Sequence, residues 1–191
     1  MSIAIIAYGS LIWDEECLAP HISGGWRRGA GPRLPVEFCR ISPKRKGALV
    51  LAICEGAPGS VPTSVTESRR AALADAAADL ARRERAPVEA IGMADGRRAE
   101  NCPEAIGRIV NDWLAGQGRF RAAVWANLPE NFAEETGAPF SHRRGLAWLR
   151  GLSDESLAEA WRYITFAPEE TDTPFRRHLG KDPWWRGLSY P

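Results

Sequence analysis

The stretch that constrains the fold most is Ile3-Ala4-Ile5-Ile6-Ala7-Tyr8-Gly9-Ser10-Leu11. Its first five residues are small or aliphatic without interruption, which is typical of a strand buried on both faces. Gly9 ends this run, and because glycine has no Cβ the backbone can turn sharply there. Backbone amides that follow such a turn are free to point toward a ligand. The stretch therefore predicts a buried strand that leads into an anion-binding loop, although a simple turn beneath a core tyrosine accounts for the same residues.

Length and charge place the chain among ordinary globular proteins. A chain of 191 residues suits one domain with a proper core. The 25 basic and 24 acidic residues give a formal net charge of +1, so no net field recruits nucleic acid or an anionic membrane. No basic segment followed by a long apolar one stands at the N-terminus. We therefore expect a cytoplasmic protein with neither nucleic acid nor membrane as a partner.

The cysteines and histidines show no spacing typical of a metal site. None of the four cysteines forms a Cys-x-x-Cys pair, and the three histidines lie far apart along the chain. We expect no metal site and free thiols in a reducing compartment. The residues concerned are Cys17, Cys39, Cys54, Cys102, His21, His142 and His178.

A hairpin rich in basic residues is predicted over residues 34–54. Val36 and Phe38 alternate with polar positions on its first strand, and its second strand is continuously apolar. The same alternation places Arg40 on the face of Val36 and Phe38, where its guanidinium is suited to a carboxylate-bearing substrate. Solvated loop charges account equally well for the seven basic residues between positions 27 and 46.

A long helix is predicted from Ser64 to about residue 85. The pattern Ser-Val-Thr-Glu at residues 64–67 is a capping box, and Pro87 stops the helix. On this helix Glu84 lies on the face of Leu73 and Leu80. A carboxylate on a buried face is unfavourable unless it is protonated, paired or facing a cavity. Two alternatives explain the position of Glu84: a salt bridge to a neighbouring arginine, or a catalytic role.

The carboxylates elsewhere on the predicted helix are expected to face solvent. Asp75 and Asp79 fall away from the apolar face that carries Leu80. Glu89 follows the helix in an alternating segment and is expected to point outward, which makes it a weaker catalytic candidate than Glu84.

The second half of the chain predicts further helices and a strand. A helix begins after Pro103, a strand covers residues 122–127, and Ser141 and Ser153 cap two more helices. Periodicity then disappears over residues 167–191.

The last 25 positions are too aromatic and too mixed in charge for a disordered tail. They predict an extended segment packed on the body, as a lid or as a self-association surface of a homodimer. The expected organisation is one domain at residues 1–166 followed by this segment at residues 167–191.

Three stretches resemble the γ-glutamylcyclotransferase superfamily, and its glutathione-specific branch in particular. They are Tyr8-Gly9-Ser10-Leu11 after the first strand, Phe38-Cys39-Arg40-Ile41-Ser42-Pro43-Lys44-Arg45, and Leu80-Ala81-Arg82-Arg83-Glu84. Their order and approximate spacing agree with that family, and the resemblance covers roughly residues 1–95. Residues 58–64 depart from the aromatic-Gly-Val-Ala-type strand that members carry there.

The resemblance implies a fold and a reaction. The fold is a single α+β domain with a small mixed, β-barrel-like sheet surrounded by helices. In the reaction, the α-amine of a γ-glutamyl group attacks its own γ-amide carbonyl, which releases 5-oxoproline and an amine. Neither a cofactor nor a metal is implied, and the implied partner is a small γ-glutamyl compound such as glutathione.

The resemblance also implies roles for individual residues. The loop at Tyr8, Gly9, Ser10 and Leu11 holds the γ-glutamyl group, and Glu84 takes the amine proton and passes it to the leaving nitrogen. Arg40, Ser42 and Arg45 are candidates for holding the rest of the substrate. The alternative is a non-catalytic small-molecule-binding or protein-interaction module on the same fold.

Overall fold

The apolar run near the N-terminus forms a buried strand in a computed structural model that describes residues 1–190. The described residues have a mixed α+β structure with ten strands and seven α-helices. The strands are β1 (Ser2–Ala7), β2 (Ile22–Arg27), β3 (Arg33–Leu34), β4 (Val36–Ser42), β5 (Ala48–Ile53), β6 (Val61–Pro62), β7 (Ser64–Ser68), β8 (Ile91–Ala94), β9 (Ala99–Glu100) and β10 (Phe120–Ala126).

The helices are α1 (Leu73–Glu84), α2 (Glu104–Gln117), α3 (Phe132–Thr136), α4 (His142–Arg150), α5 (Asp154–Phe166), α6 (Pro174–Leu179) and α7 (Pro183–Arg186). Within residues 1–190, none of them combines the length and the apolar character needed to cross a membrane. The predicted strand at residues 122–127 and the helix after Pro103 are confirmed as β10 and α2.

The described residues fall into two compact units. Unit 1 comprises Met1–Leu34 and Pro62–Leu128, and unit 2 comprises Pro35–Val61 and the described residues from Pro129 onward. The predicted organisation, one domain at residues 1–166 and a packed segment after it, stays a prediction.

Unit 1 is built on a six-stranded mixed sheet in the order β2-β7-β1-β10-β8-β9. The central strand β1 pairs in parallel with β10 and antiparallel with β7. Helix α1 covers one face, where Ala77 and Leu80 pack against Ile5 and Val124 with no exposed surface. Burying a valine, leucine or isoleucine side chain contributes roughly 1.5–3 kcal/mol to the stability of the folded state.

Strand β7 occupies residues that were expected to begin the long helix. Ser64 pairs with Ala7 and Glu67 with Ala4, so the capping-box residues belong to the sheet. Helix α1 begins only at Leu73, after an extended Ala72. The local helix signal fails because β7 finds backbone partners on both sides, in β1 and β2.

Asp79 of α1 is buried, which contradicts the expectation that it faces solvent. Its carboxylate is 3% exposed and accepts hydrogen bonds from Arg70 Nε at 2.6 Å and Arg70 Nη2 at 3.0 Å. Arg82 Nη1 lies 3.3 Å from Asp79 Oδ1, and His21 Nδ1 lies 3.6 Å from Asp79 Oδ2. The hydrogen bond from Arg70, helped by these charges, holds the pKa of Asp79 below its ordinary value. A helical wheel cannot anticipate this, because Arg70 and His21 lie outside the helix.

We expect Asp79→Asn to lower the free energy of unfolding by about 1.5–3 kcal/mol at neutral pH, the usual contribution of hydrogen bonds to a charged group. The folded-state pKa is lowered, so the contribution is present above the unfolded-state pKa and is lost as the pH falls through the folded-state value. Urea unfolding at pH 7 and at about pH 3 measures the difference, which should shrink in acid. Asp75→Asn, at an exposed carboxylate of the same helix, is the matched control. A difference of equal size at both pH values would contradict the assignment.

Unit 2 contains the predicted hairpin, which is confirmed as the antiparallel pair β4 and β5. Ser141 and Ser153 cap α4 and α5 through their side chains, also as predicted. Helix α5 packs on β5, and the Tyr163 hydroxyl accepts the Leu51 amide at 3.4 Å.

A bulge in β4 corrects the predicted orientation of Arg40. The register changes from Glu37 opposite Ala52 to Arg40 opposite Val50, so two residues of β4 share one partner position. An extra residue reverses the alternation of side chains beyond it. Arg40 therefore lies on the face opposite to Val36. The next residue, Ile41, lies on the same face as Val36 and is buried.

We expected the C-terminal segment to be extended, but it is partly helical. Its described part contains the short helices α6 and α7, each with proline in the first turn. The side chains of Thr173 and Asp182 accept the amides of Arg176 and Trp185 and so cap the two helices. Both helices are too short to produce a visible hydrophobic period.

Candidate active site

The Tyr-Gly-Ser-Leu loop follows β1 directly and is tied to the neighbouring strand. The Tyr8 hydroxyl donates to the Ala126 carbonyl at 2.6 Å, at the end of β10. Gly9 has φ −138° and ψ −145°, outside the left-handed region. The parallel pairing of β1 and β10 thus fixes the position at which the loop begins.

A single 3-10 turn at Ser10–Ile12 continues the loop. Its hydrogen bonds begin with the Ile12 amide, which donates to the Gly9 carbonyl at 3.1 Å. The amides of Ser10 and Leu11 precede that bond and have no acceptor within the turn. They are the backbone donors that a bound anion would use.

A buried arginine of α1 joins this turn to the end of the helix. Arg83 is 2% exposed, and its Nη2 donates to Ser10 Oγ at 3.3 Å. Its Nε donates to the Asp14 carbonyl at 3.2 Å, and Nη2 donates to the same oxygen. Its Nη1 donates to Glu84 Oε1 at 2.9 Å. One guanidinium therefore holds the loop, the segment after it and the carboxylate of Glu84.

Glu84 is the last residue of α1. The following residue, Arg85, adopts a left-handed conformation with φ 55°, and the Ala86 amide bonds back to the Ala81 carbonyl at 3.1 Å. This C-terminal cap ends the helix at Glu84. The Glu84 side chain is 15% exposed, so it is largely enclosed without losing access to solvent.

Glu84 forms a salt bridge with Arg83, which is one of the two explanations that the sequence offered for a carboxylate at this position. It compensates the charge and so makes the partly buried position tolerable. Among residues 1–190, Glu84 Oε2 makes no hydrogen bond, which leaves one carboxylate oxygen for a substrate. Chemically, the site offers a carboxylate and, linked to it through the positive charge of Arg83, the loop that carries the two backbone amides.

Arg45, a candidate for holding the rest of the substrate, has partners within unit 2. Its Nη1 lies 2.6 Å from Glu159 Oε1, and its guanidinium stacks 4.9 Å from the centre of the Tyr163 ring. These contacts account for its position without a ligand. Its role in substrate binding stays a prediction.

Arg40 and Ser42 also lie in unit 2, on β4. The Arg40 guanidinium donates to the Pro129 carbonyl. Ser42 is half-buried, and its carbonyl accepts the Gly47 amide at 2.9 Å, which helps to close the hairpin. Their substrate contacts likewise stay predictions.

Two features of the structure have no counterpart in the sequence patterns. Arg83 reaches Ser10, 73 positions away, although the helical wheel shows it only beside the apolar face. In unit 2, Cys39, Cys54 and Glu130 bring their donor atoms within 4.8 Å of one another. Strand pairing creates this cluster, so no local spacing motif reveals it.

The arrangement around Arg83 belongs to unit 1 alone. Its members come from the loop after β1 and from the end of α1, which pack on the same sheet. The case for function therefore depends on these contacts. Comparison of the chain with protein-family models, with curated proteins and with solved structures found no match.

Proposed function

We propose that this protein is a γ-glutamylcyclotransferase that converts the γ-glutamyl group of a small molecule to 5-oxoproline and releases the amine. The observation that supports this best is the shared guanidinium of Arg83, which contacts Ser10 of the loop and Glu84 of the helix. These are the two stretches that resemble the family's glutamyl-binding loop and catalytic glutamate. We propose as well that the chain has the β-barrel-like fold of that superfamily.

The reaction needs no co-reactant. The α-amine nitrogen forms a bond to the γ-carbonyl carbon, the γ-amide C–N bond breaks, and the leaving nitrogen gains the proton that the attacking nitrogen loses. Because both reacting groups belong to one molecule, the protein has to fold the substrate into the cyclising conformation and move one proton.

Glu84 is the group that moves this proton. Its Oε2 accepts the proton from the attacking amine and delivers it to the leaving nitrogen, while Oε1 remains bonded to Arg83. The salt bridge fixes the carboxylate, so its position is set before the substrate arrives. Arg83 acts through Glu84 and Ser10 and is a positioning residue.

The loop binds the glutamyl end of the substrate. The amides of Ser10 and Leu11 donate to its carboxylate or to the oxyanion that develops on the γ-carbonyl. The Arg83 guanidinium, held against Ser10 Oγ, adds a positive charge behind them.

A non-catalytic binding module is the second candidate. The observation that favours it is the salt bridge itself, because a carboxylate paired with a buried arginine can be purely structural. In that case the loop binds a γ-glutamyl compound without converting it.

The direct test is an assay of 5-oxoproline. The purified protein is incubated with glutathione, a γ-glutamyl amino acid and a γ-glutamylamine, and 5-oxoproline is measured by mass spectrometry. At least one compound should be converted, whereas the α-linked isomer of the γ-glutamyl amino acid should not, because its amide is not at the γ-carbon. Binding measured by calorimetry without turnover would support the module, and absence of both would overturn the proposal.

A further inference from the structure

A second cluster of reactive side chains belongs to unit 2, whereas Arg83 and Glu84 belong to unit 1. It consists of Cys39 in β4, Cys54 just after β5 and Glu130 in the segment that precedes α3. Cys39 is fully buried, Cys54 is half-buried and Glu130 is exposed. Two sulfur atoms and a carboxylate oxygen all lie within 4.8 Å of one another.

The hairpin brings the two thiols together. The Cys54 amide donates to the Pro35 carbonyl at 2.8 Å, which extends the pairing of β4 and β5 past the last residue of β5. Cys39 lies in the bulged part of β4. Strand pairing therefore brings these two cysteines together, although they lack the short sequence spacing by which most zinc sites are recognised.

Glu130 is held in place from both sides. The carbonyl of Pro129 accepts a hydrogen bond from the Arg40 guanidinium. The side chain of Asn131 accepts the Ile41 amide at 2.8 Å and donates to the Ile41 carbonyl at 3.0 Å. The residues on either side of Glu130 are thus fixed to the two residues that follow Cys39, so the carboxylate is positioned next to the thiols.

We propose that Cys39, Cys54 and Glu130 bind a zinc ion, or another thiophilic divalent cation, with a fourth position left for water. Zinc lies about 2.3 Å from a thiolate and about 2.0–2.2 Å from a carboxylate oxygen in a tetrahedral site. Ligand atoms around such an ion are about 3.5–3.8 Å apart, which is compatible with the observed cluster. Three protein ligands and an open position are the arrangement of zinc sites that bind an exchangeable ligand.

A disulfide is the other chemistry open to two neighbouring thiols. It requires an oxidant and makes no use of Glu130, whereas in the proposed metal site the Glu130 carboxylate, which lies within 4.8 Å of both sulfur atoms, supplies a third ligand. Binding of a cation therefore explains the position of all three residues better than a disulfide does.

The full chain is tested in the presence of a non-thiol reductant, which keeps the cysteines reduced. After treatment with a chelator, the protein is titrated with Zn²⁺ against a chromophoric competitor and, separately, with Co²⁺. One ion per chain should bind, and Co²⁺ should produce sulfur-to-cobalt charge-transfer absorption. Zn²⁺ should also raise the melting temperature.

Variants decide which residues bind the ion. Loss of a hydrogen-bond partner of a ligand weakens metal binding by roughly 10- to 100-fold, so Glu130→Gln, which removes a ligand, should weaken it by at least that much. Cys54→Ser should reduce the charge-transfer absorption, and Cys17→Ser, at an exposed thiol outside the cluster, should change neither property. Circular dichroism checks folding, and Glu130→Gln alters only an exposed side chain.

Absence of stoichiometric binding to the reduced wild type would overturn the proposal. Wild-type affinity in both Glu130→Gln and Cys54→Ser would overturn it equally. If the protein purified without reductant contains a Cys39–Cys54 disulfide and the reduced form takes up no metal, the cluster is a redox pair instead.

Discussion

Glu84→Gln should lower turnover by roughly 10²- to 10⁴-fold, the range that a general base usually contributes. Glutamine keeps the size of the side chain and an oxygen that accepts from Arg83 Nη1, but it no longer takes a proton from the substrate amine. Affinity for 5-oxoproline or an inert γ-glutamyl analogue should change little, because the loop amides remain in place. Steady-state kinetics and calorimetry measure the two quantities separately.

Glu89→Gln is the matched control for this variant. Glu89 is an exposed carboxylate just beyond the end of α1, and its replacement should leave turnover unchanged. Full activity in Glu84→Gln would show that the proton acceptor lies elsewhere, and loss of activity in Glu89→Gln alone would assign that role to Glu89.

Arg83→Gln should have the largest effect on stability. Removing one partner of a buried ion pair lowers the free energy of unfolding by about 3–5 kcal/mol, because the remaining charge and acceptors lose their compensation. Here the Asp14 carbonyl, Ser10 Oγ and Glu84 all lose a donor. Urea unfolding measures the loss, and kcat/KM should fall as well because the loop and the carboxylate are no longer held together.

The double variant Arg83→Gln/Glu84→Gln separates charge from packing. If an uncompensated Glu84 carboxylate causes much of the loss, the double variant should be more stable than Arg83→Gln alone. Arg82→Gln is the control, since Arg82 is an exposed neighbour with a single ion-pair contact, and its replacement should cost no more than about 1 kcal/mol. Equal losses at both arginines would contradict the role assigned to Arg83.

Local signals predicted much of the fold. The apolar run of β1, the cap residues Ser141 and Ser153 and the apolar strand β5 depend on neighbours within a few positions, and each is confirmed. The expectation that Glu84 and the loop belong to one site came from the resemblance to a family and not from the residues themselves, and the structure links the two through Arg83.

The features that could not be predicted depend on contacts between residues that are far apart in the sequence. Ser64 starts a strand because β1 and β2 are available to it, and Asp79 is buried because Arg70 and His21 reach it from outside the helix. Arg40 changes face because of a bulge whose only signature is a change of register. No window along the chain contains the information that decides these cases.

The parallel pairing of β1 with β10 has a consequence for biosynthesis. During translation β1 leaves the ribosome long before its partner, because β10 begins at Phe120 and β1 ends at Ala7. At roughly 5–20 residues per second, the apolar strand waits between about 5 and 25 s for the neighbour that completes its hydrogen bonding. Strand β7 emerges earlier and pairs with one side of β1, but until β10 follows, the other side is an unpaired, aliphatic edge of a nascent chain, the kind of segment that chaperones bind and that aggregates in their absence.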